Sequence, residues 1–183
     1  MTRIVGGSAG GRRLSVPRGR DTRPTSERTR EGLFSALEAL HGSLTGLRFL
    51  DLYAGSGAIG LEAASRGASS VVLVERDPGA IATLRANVET LGLRGVDVRA
   101  EPVDRFLTTP PPSAYDICFL DPPYADPVDG VLAVLGGDGW LAPTGTVVVE
   151  RATRSGAVTW PAGLVAHRSR RYGDSTLWYG RRS

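Results

Sequence analysis

Asp121-Pro122-Pro123-Tyr124 directly follows the apolar run Ile117-Cys118-Phe119-Leu120, seventy residues after a glycine loop, Asp51-Leu52-Tyr53-Ala54-Gly55-Ser56-Gly57. In this order the two motifs describe a site that holds a nucleotide-like cofactor and presents a planar amine to it. An exocyclic amine of a nucleobase is a poor nucleophile, because its lone pair is delocalised into the ring. Two acceptors, one for each N–H, hold the nitrogen and favour its more reactive pyramidal geometry. The Asp121 carboxylate and the Pro122 backbone carbonyl supply that pair. Two consecutive prolines fix φ and disfavour helix at the preceding residue, which keeps the carbonyl rigidly aimed. Tyr124 offers a flat face on which a base can stack, worth about 1–3 kcal/mol per base. With the transferred group already activated on a cofactor, catalysis at such a site is positioning and electrostatics. The plainer reading of Asp121 to Tyr124 is a strand that ends in a Pro-Pro turn with a surface tyrosine; its pairing with the glycine loop argues against that.

The loop carries a second discrimination. Gly55, Gly57 and Gly60 reproduce the G-x-G-x-x-G spacing between a strand and a helix, which permits a tight turn and close backbone approach to a ligand. NAD and FAD folds share that spacing. Asp51, four residues before the first glycine, separates the cases. A pyrophosphate at a helix N-terminus needs free N–H groups and is repelled by a nearby acid. An acid suits a cofactor with a cationic sulfonium and an ammonium group and no phosphate, which is S-adenosylmethionine. Tyr53 and Ser56 lie in the same loop and belong to the expected cofactor surface. The next apolar strand, Val71 to Val74, ends at Glu75-Arg76, eighteen residues beyond Gly57 at its glutamate. That is the usual place for a carboxylate that accepts both ribose hydroxyls. Asp77 competes for the role, although Asp77-Pro78 reads better as the start of the following helix.

Positioning these groups takes alternating βα units. Leu47 to Leu52 reads as a buried parallel strand and Ala58 to Arg66 as the helix after the loop. Pro24 to Leu40 is a predicted helix with Leu33, Phe34, Leu37 and Leu40 on one side, and Pro78 to Leu91 another. Val96 to Ala100, Tyr115 to Leu120 and Thr146 to Glu150 are further strands, with a short helix over Val128 to Leu135. Leu164 to Arg171 and Ser175 to Tyr179, joined by Tyr172-Gly173-Asp174, read as an antiparallel hairpin. The expected fold is α/β: a doubly wound, mostly parallel sheet with an antiparallel C-terminal edge hairpin and a small basic N-terminal β-hairpin arm. The arm is drawn at residues 1–23 and a single catalytic domain at 24–183.

Composition and charge narrow the class. A chain of 183 residues with 41% hydrophobic content suits one α/β domain. No stretch approaches the ~20 apolar residues of a membrane span, and the N-terminus lacks the apolar core of a signal peptide. Cys118 is the only cysteine, inside an apolar strand, and His41 and His167 are the only histidines, so no metal site is expected. The cytoplasm is the expected compartment. All 22 basic residues are arginine, and they are unevenly placed: residues 1–30 carry net +6, residues 31–150 net −9 and residues 151–183 net +6. An acidic body between two basic ends fits a cationic cofactor inside and a polyanion outside. Solvated termini of an arginine-rich chain are the plain alternative. Arg3, Arg12, Arg13, Arg20, Arg23, Arg28 and Arg30 are the expected phosphate contacts at the N-terminal end.

Taken together, Arg3 to Gly7, Asp21 to Thr25, Arg30 to Phe34, Asp51 to Ala63 and Asp121 to Tyr124 resemble the bacterial methyltransferases that modify the N2 amine of a guanine in small-subunit (16S) ribosomal RNA, the D type. The resemblance covers nearly the whole chain, and its N-terminal pieces are the family-specific ones. It implies a Rossmann-like class I methyltransferase domain, S-adenosylmethionine as cofactor, and ribosomal RNA or an assembled or assembling small subunit as partner, with no membrane and no metal. Carried over by position, Asp51, Gly55 and Gly57 line the methionine end of the cofactor and Glu75 takes the ribose. Asp121 and Pro122 hold the amine and Tyr124 faces the base. One departure stands out: where related enzymes tend to place an Asp or Asn near the adenine, this chain has Glu101-Pro102-Val103. Adenine recognition then falls to backbone groups at Pro102 and the apolar side of Val103.

Other classes fit less well. An adenine-N6 methyltransferase acting on DNA or RNA shares the amine chemistry and stays the alternative, although the DNA enzymes usually carry a substantial target-recognition region. A protein-glutamine methyltransferase more typically has Asn in place of Asp121. An NAD-dependent oxidoreductase is disfavoured by Asp51, and a non-enzymatic RNA-binding module leaves Asp121 to Tyr124 unexplained.

Overall fold

A seven-stranded sheet organises the chain, in a computed structural model that describes residues 2–17, 25–123 and 126–183. Arg20, Arg23, Tyr124 and the boundary drawn between residues 23 and 24 lie outside the described residues. The elements in order are β1 (Thr2–Arg3), β2 (Arg13–Leu14), α1 (Glu27–His41), β3 (Arg48–Leu52), α2 (Ala58–Ser65), β4 (Ser70–Glu75), α3 (Pro78–Leu91), β5 (Val96–Ala100), α4 (Val103–Phe106), β6 (Tyr115–Leu120), α5 (Asp129–Gly136), β7 (Leu141–Ala152), β8 (Leu164–Tyr172) and β9 (Ser175–Arg182). The sheet runs β5-β4-β3-β6-β7-β9-β8. Strands β5 to β7 are parallel neighbours in that order, while β9 pairs antiparallel with both β7 and β8. Strand order reverses beside β3, whose neighbours are β4 and β6, so the ligand crevice of a doubly wound sheet opens at the carboxyl ends of β3 and β6.

Burial follows the strand alternation. Phe49, Leu73, Ile117, Phe119, Val148 and Tyr179 join α1 and α2 in the core on one face of the sheet. Leu50, Leu52, Val74, Cys118, Leu120, Val147 and Val149 form the core on the other. Strands buried on both faces read as continuous apolar runs, which is why β4 and β6 are plain in the sequence.

Local chemistry sets the helix ends. Ser26 caps α1 by accepting from the Thr29 N–H at 3.1 Å, so the helix starts at Glu27 rather than at Pro24. Asp77 caps α3 by accepting from the Ala80 N–H at 2.8 Å, with Pro78 in the first turn. Two features differ from the sequence reading. β7 begins at Leu141, before Pro143 and Gly145, because an irregularity between Tyr115 and Ile117 of β6 lets the exposed Pro143-Thr144 bulge out while pairing continues. The other is α4, whose four residues are too few to show helical periodicity.

The N-terminal hairpin is docked on the core. Ile4, Ala9 and Leu14 are buried in the α1/α2-side core. The Val5 and Gly6 N–H groups donate to the two oxygens of Glu62, each at 2.7 Å, and Ser8 N–H donates to the Ser65 carbonyl at 2.8 Å. Gly7 has φ +78, and a Cβ there would lie 2.0 Å from the Ser65 carbonyl oxygen, so only glycine allows the hairpin to lie this close on α2.

Candidate functional site

Strand register brings the candidate residues to one end of the sheet. Asp51 pairs with Phe119 across β3 and β6, which places Asp121 just beyond it at the carboxyl end of β6. Glu75 ends the neighbouring β4. The loop between β3 and α2 crosses above them. Tyr53 adopts φ +66, a left-handed conformation unusual for a bulky residue and found where surrounding structure over-determines the backbone. Gly57 follows at φ +82 as the N-cap of α2, a turn that costs least with glycine.

Two N–H groups of the glycine motif, one in the loop and one in the first turn of α2, are already committed to carboxylates. The Gly55 N–H donates to Glu75 Oε2 at 2.8 Å, and the Gly60 N–H donates to Asp51 Oδ2 at 2.9 Å. Glu75 Oε1 also accepts from the Arg76 and Asp77 N–H groups, both at 2.8 Å. A pyrophosphate would meet two acids here in place of free donors. A cation would meet the charges it needs, and a Cβ built on Gly55 finds nothing within 4 Å, so the loop leaves open space on that side. This donor set fits a cofactor carrying sulfonium and ammonium groups with a ribose.

Electrostatics sharpen the picture. Asp51 is 2% exposed; burial pushes its carboxyl up to about 7, the Gly60 N–H pulls it back down, and Glu75 raises it further. Asp121 is exposed as a residue, while its carboxyl is enclosed by protein. Its carboxyl is held above the usual range by that enclosure first, then by Glu150 and Asp51. Because the residue is exposed, solvent moderates that push.

The other expected cofactor residues fall as follows. The Ser56 carbonyl accepts from Asn87 Nδ2 at 2.9 Å. Tyr53 is half-buried against the β6/β7-side core, and burial raises its phenol. Pro102 is the N-cap of α4, and Val103 is buried in the core beside Val74 and Leu52. The Arg76 side chain points out, 63% exposed, and lies 3.9 Å from Asp126.

The expected phosphate contacts divide. Arg13 and Arg28 are exposed, and Arg3 pairs with Glu27 at 3.1 Å while remaining 58% exposed. Arg12 turns its guanidinium onto the Thr90 and Leu91 carbonyls at the C-terminus of α3. Arg30 is a correction: it is fully buried beneath the hairpin, its Nη2 donating to the Arg3 carbonyl at 2.7 Å and to Thr2 Oγ1 at 3.2 Å. Its Nη1 lies 3.9 Å from Glu62 Oε2, and burial lowers its pKa. A side chain with no accessible surface has nothing to offer a phosphate, so Arg30 holds the hairpin rather than RNA.

Three residues at the site escaped the sequence reading. Glu150, on β7, accepts from Thr25 Oγ1 at 2.9 Å and from Ser175 Oγ at 2.5 Å. It closes the run Val147-Val148-Val149 as Asp121 closes its own apolar run, and an acid at the end of a parallel strand was the available signal. Thr25 stands out in the sequence only as part of its motif. Asn87, 3% exposed in the middle of α3, ties Ser56 of the loop to both the N–H and the carbonyl of Ser15 at the hairpin's exit, and has no local signature.

A profile of the family described as Conserved hypothetical protein 95 matches residues 2–181. The chain is similar to Ribosomal RNA small subunit methyltransferase D of Escherichia coli (strain K12), 36% identical over 172 residues that cover 92% of this chain and 83% of the relative. It is also similar to Putative rRNA methyltransferase YlbH of Bacillus subtilis (strain 168), 33% identical over 175 residues covering 93% of this chain and 94% of the relative. Among solved structures, the putative methyltransferase yhhF from Escherichia coli superposes with a TM-score of 0.85 at 32% identity, covering 98% of this chain and 97% of that one. A hypothetical protein of Thermus thermophilus superposes at 0.80 with 37% identity, covering 98% of each.

Proposed function

The chain belongs to the Conserved hypothetical protein 95 family, and from that premise we propose that it transfers a methyl group from S-adenosylmethionine to the exocyclic N2 amine of a guanine in small-subunit ribosomal RNA. The coarser statement, a Rossmann-like class I methyltransferase, rests on the shared fold and on similarity along nearly the whole chain. The observation that supports the finer one is the similarity to Ribosomal RNA small subunit methyltransferase D over 92% of this chain. Beside it, the adjacency of Asp51 at the end of β3 and Asp121 at the end of the neighbouring β6 suits transfer to an amine.

In this reading Asp51 and the Gly55–Gly57 turn take the cationic methionine end, and Glu75 accepts the ribose hydroxyls. Pro102 and Val103 border the adenine. The sulfonium supplies an activated methyl group. Asp121 and the Pro122 carbonyl each accept one N–H of the target amine, which turns the nitrogen lone pair toward the methyl carbon. As the new C–N bond forms and the methyl–sulfur bond breaks, positive charge would pass from sulfur to that nitrogen. The Asp121 carboxylate would oppose it at hydrogen-bond distance, the kind of preorganised charge that lowers a barrier most, and the nitrogen's surplus proton would leave to water. Tyr124 stacks on the extruded base, and exposed N-terminal arginines bind the flanking phosphates.

The test is to incubate the protein with small-subunit ribosomal RNA, naked and assembled, and labelled S-adenosylmethionine, then digest to nucleosides. Labelled N2-methylguanosine is the expected product. N6-methyladenosine in its place overturns the substrate assignment while leaving fold and cofactor class intact.

A further inference from the structure

Glu150 has no part in the reading above, yet register puts it beside the residue that does the chemistry. Leu120 of β6 pairs with Val149 of β7, so Asp121 and Glu150 are the next residues on adjacent parallel strands. Side chains alternate across a strand. Phe119 and Val148 pack on the α1/α2 face, and Asp121 and Glu150, two residues on, leave the sheet on that same face. The carboxylate of Glu150 is aimed by two hydroxyls, Thr25 Oγ1 on Oε2 and Ser175 Oγ on Oε1, and each oxygen keeps a further lone pair. Three strands and the residue leading into α1 therefore converge to fix one acceptor next to the amine-binding Asp121.

We propose that Glu150 reads the base: its carboxylate accepts the N1–H of the purine whose N2 amine Asp121 and the Pro122 carbonyl hold. This rests on the guanine-N2 reading given above and adds the source of its specificity. Guanine presents N1–H and N2–H as adjacent donors, which a pair of neighbouring carboxylates matches. Burial raises the Glu150 carboxyl, and the Ser175 and Thr25 hydroxyls pull it back toward the ionised, acceptor form. Adenine presents its amine beside a bare N1 lone pair, and that ionised carboxylate repels the edge. Discrimination thus comes from a mismatch built against the wrong base as much as from a bond to the right one. A purely structural clasp between Thr25 and Ser175 would impose no such preference.

The test uses the nucleotide that the wild-type protein methylates in small-subunit ribosomal RNA, mapped first, with guanosine or 2-aminopurine riboside then placed there by ligation. The 2-aminopurine base keeps the N2 amine but has a bare N1. The wild-type protein is expected to favour guanosine by at least about 100-fold in kcat/KM, as sites that hydrogen-bond a specific polar group do. Glu150→Gln, whose amide can donate to a bare N1, is expected to shrink that ratio at least tenfold. A wild-type ratio within about threefold overturns the proposal whether or not the variant folds. So does a Gln variant that loses both substrates equally, or one that leaves the ratio unchanged. Recovery of N6-methyladenosine from the wild-type reaction instead overturns the guanine reading itself, an outcome separate from these.

Discussion

The Gly60 N–H donates to Asp51 Oδ2 across 2.9 Å, tying the end of β3 to the first turn of α2 directly beneath the glycine loop. A Cβ at residue 60 would lie 2.1 Å from Leu73 Cδ2 and 3.2 Å from that same carboxylate oxygen. The helix can approach the sheet, and the N–H can reach Asp51, only because residue 60 is glycine. Asp51 is thereby held in place while burial raises its carboxyl to about 7.

That value has a sign that can be measured. The folded, ligand-free protein holds a proton on Asp51 at pH values where the unfolded chain, near 3.8, has lost it. Stability from this group is therefore fully present below about pH 4 and lost as pH rises through about 7, by up to about 1.4 kcal/mol per unit within that window. A cationic cofactor needs the ionised form, so S-adenosylmethionine affinity should rise between pH 6 and pH 8, with a proton released on binding at the lower end. Calorimetry in buffers of different ionisation enthalpy reads that proton. Asp51→Asn should weaken binding and remove most of the buffer dependence; an unchanged buffer dependence would assign the proton to another group.

Asp121 and Glu75 should separate turnover from binding. Asp121→Ala removes an acceptor needed at the transition state, and a loss of about 10²–10³ in rate is expected with cofactor affinity close to wild type. Glu75→Ala removes the ribose acceptor and also unties the Gly55 N–H that Glu75 Oε2 holds. The cofactor Kd should rise, with a smaller effect on saturated turnover. Titration of both variants with S-adenosylmethionine, followed by single-turnover transfer, checks the split. Near-normal turnover by Asp121→Ala would reduce that residue to a turn former.

Much of this site is legible because its signals are local. Gly55, Gly57 and Gly60 announce a turn, Asp51 gives its charge, and Asp121-Pro122-Pro123 follows an apolar strand; strand, loop and helix then fall within a residue or two of their expected places. Glu150 and Asn87 are invisible for the opposite reason. Their partners are Thr25, Ser175, Ser15 and Ser56, all far away in sequence, and only strand order and helix packing create the contact. Arg30 misleads because charge in a sequence carries no burial. Its place opposite Glu62 depends on the hairpin folding back over α1 and α2. The N-terminal hairpin itself shows in its glycines, but its docking on the core does not, since two-residue strands carry no periodicity.

Asn87 should couple the hairpin to the cofactor loop. Its one amide group accepts from the Ser15 N–H and donates to the Ser15 and Ser56 carbonyls. Asn87→Ala leaves these buried or half-buried groups short of partners, at a cost of about 1–3 kcal/mol. Thermal unfolding should shift down, and cofactor affinity should fall because the loop loses its anchor. Loss of stability with affinity unchanged would show that Ser56 is held well enough by the turn alone.

The buried and the exposed arginines of the N-terminal segment should behave as two different populations. Arg30→Met leaves the Arg3 carbonyl and Thr2 Oγ1 beneath the hairpin without their donor, while Glu62 keeps Arg66 at 3.0 Å. A loss of about 1–3 kcal/mol is expected, as when buried acceptors lose their partner. Deleting the hairpin would do similar damage by stripping Ile4, Ala9 and Leu14 from the core and baring the side chains they cover, so truncation cannot isolate RNA binding. Arg13→Gln and Arg28→Gln remove charge from exposed side chains and should leave thermal stability and S-adenosylmethionine affinity within error. If those two residues grip phosphates, each substitution should weaken RNA binding and flatten the dependence of log affinity on log salt by about 0.7 to 0.9. Binding measured across a salt series reads both effects at once. An unchanged slope would move the phosphate contacts to the other basic end, where Arg168 and Arg170 project from the edge strand β8 over the rings of Tyr179 and Tyr172.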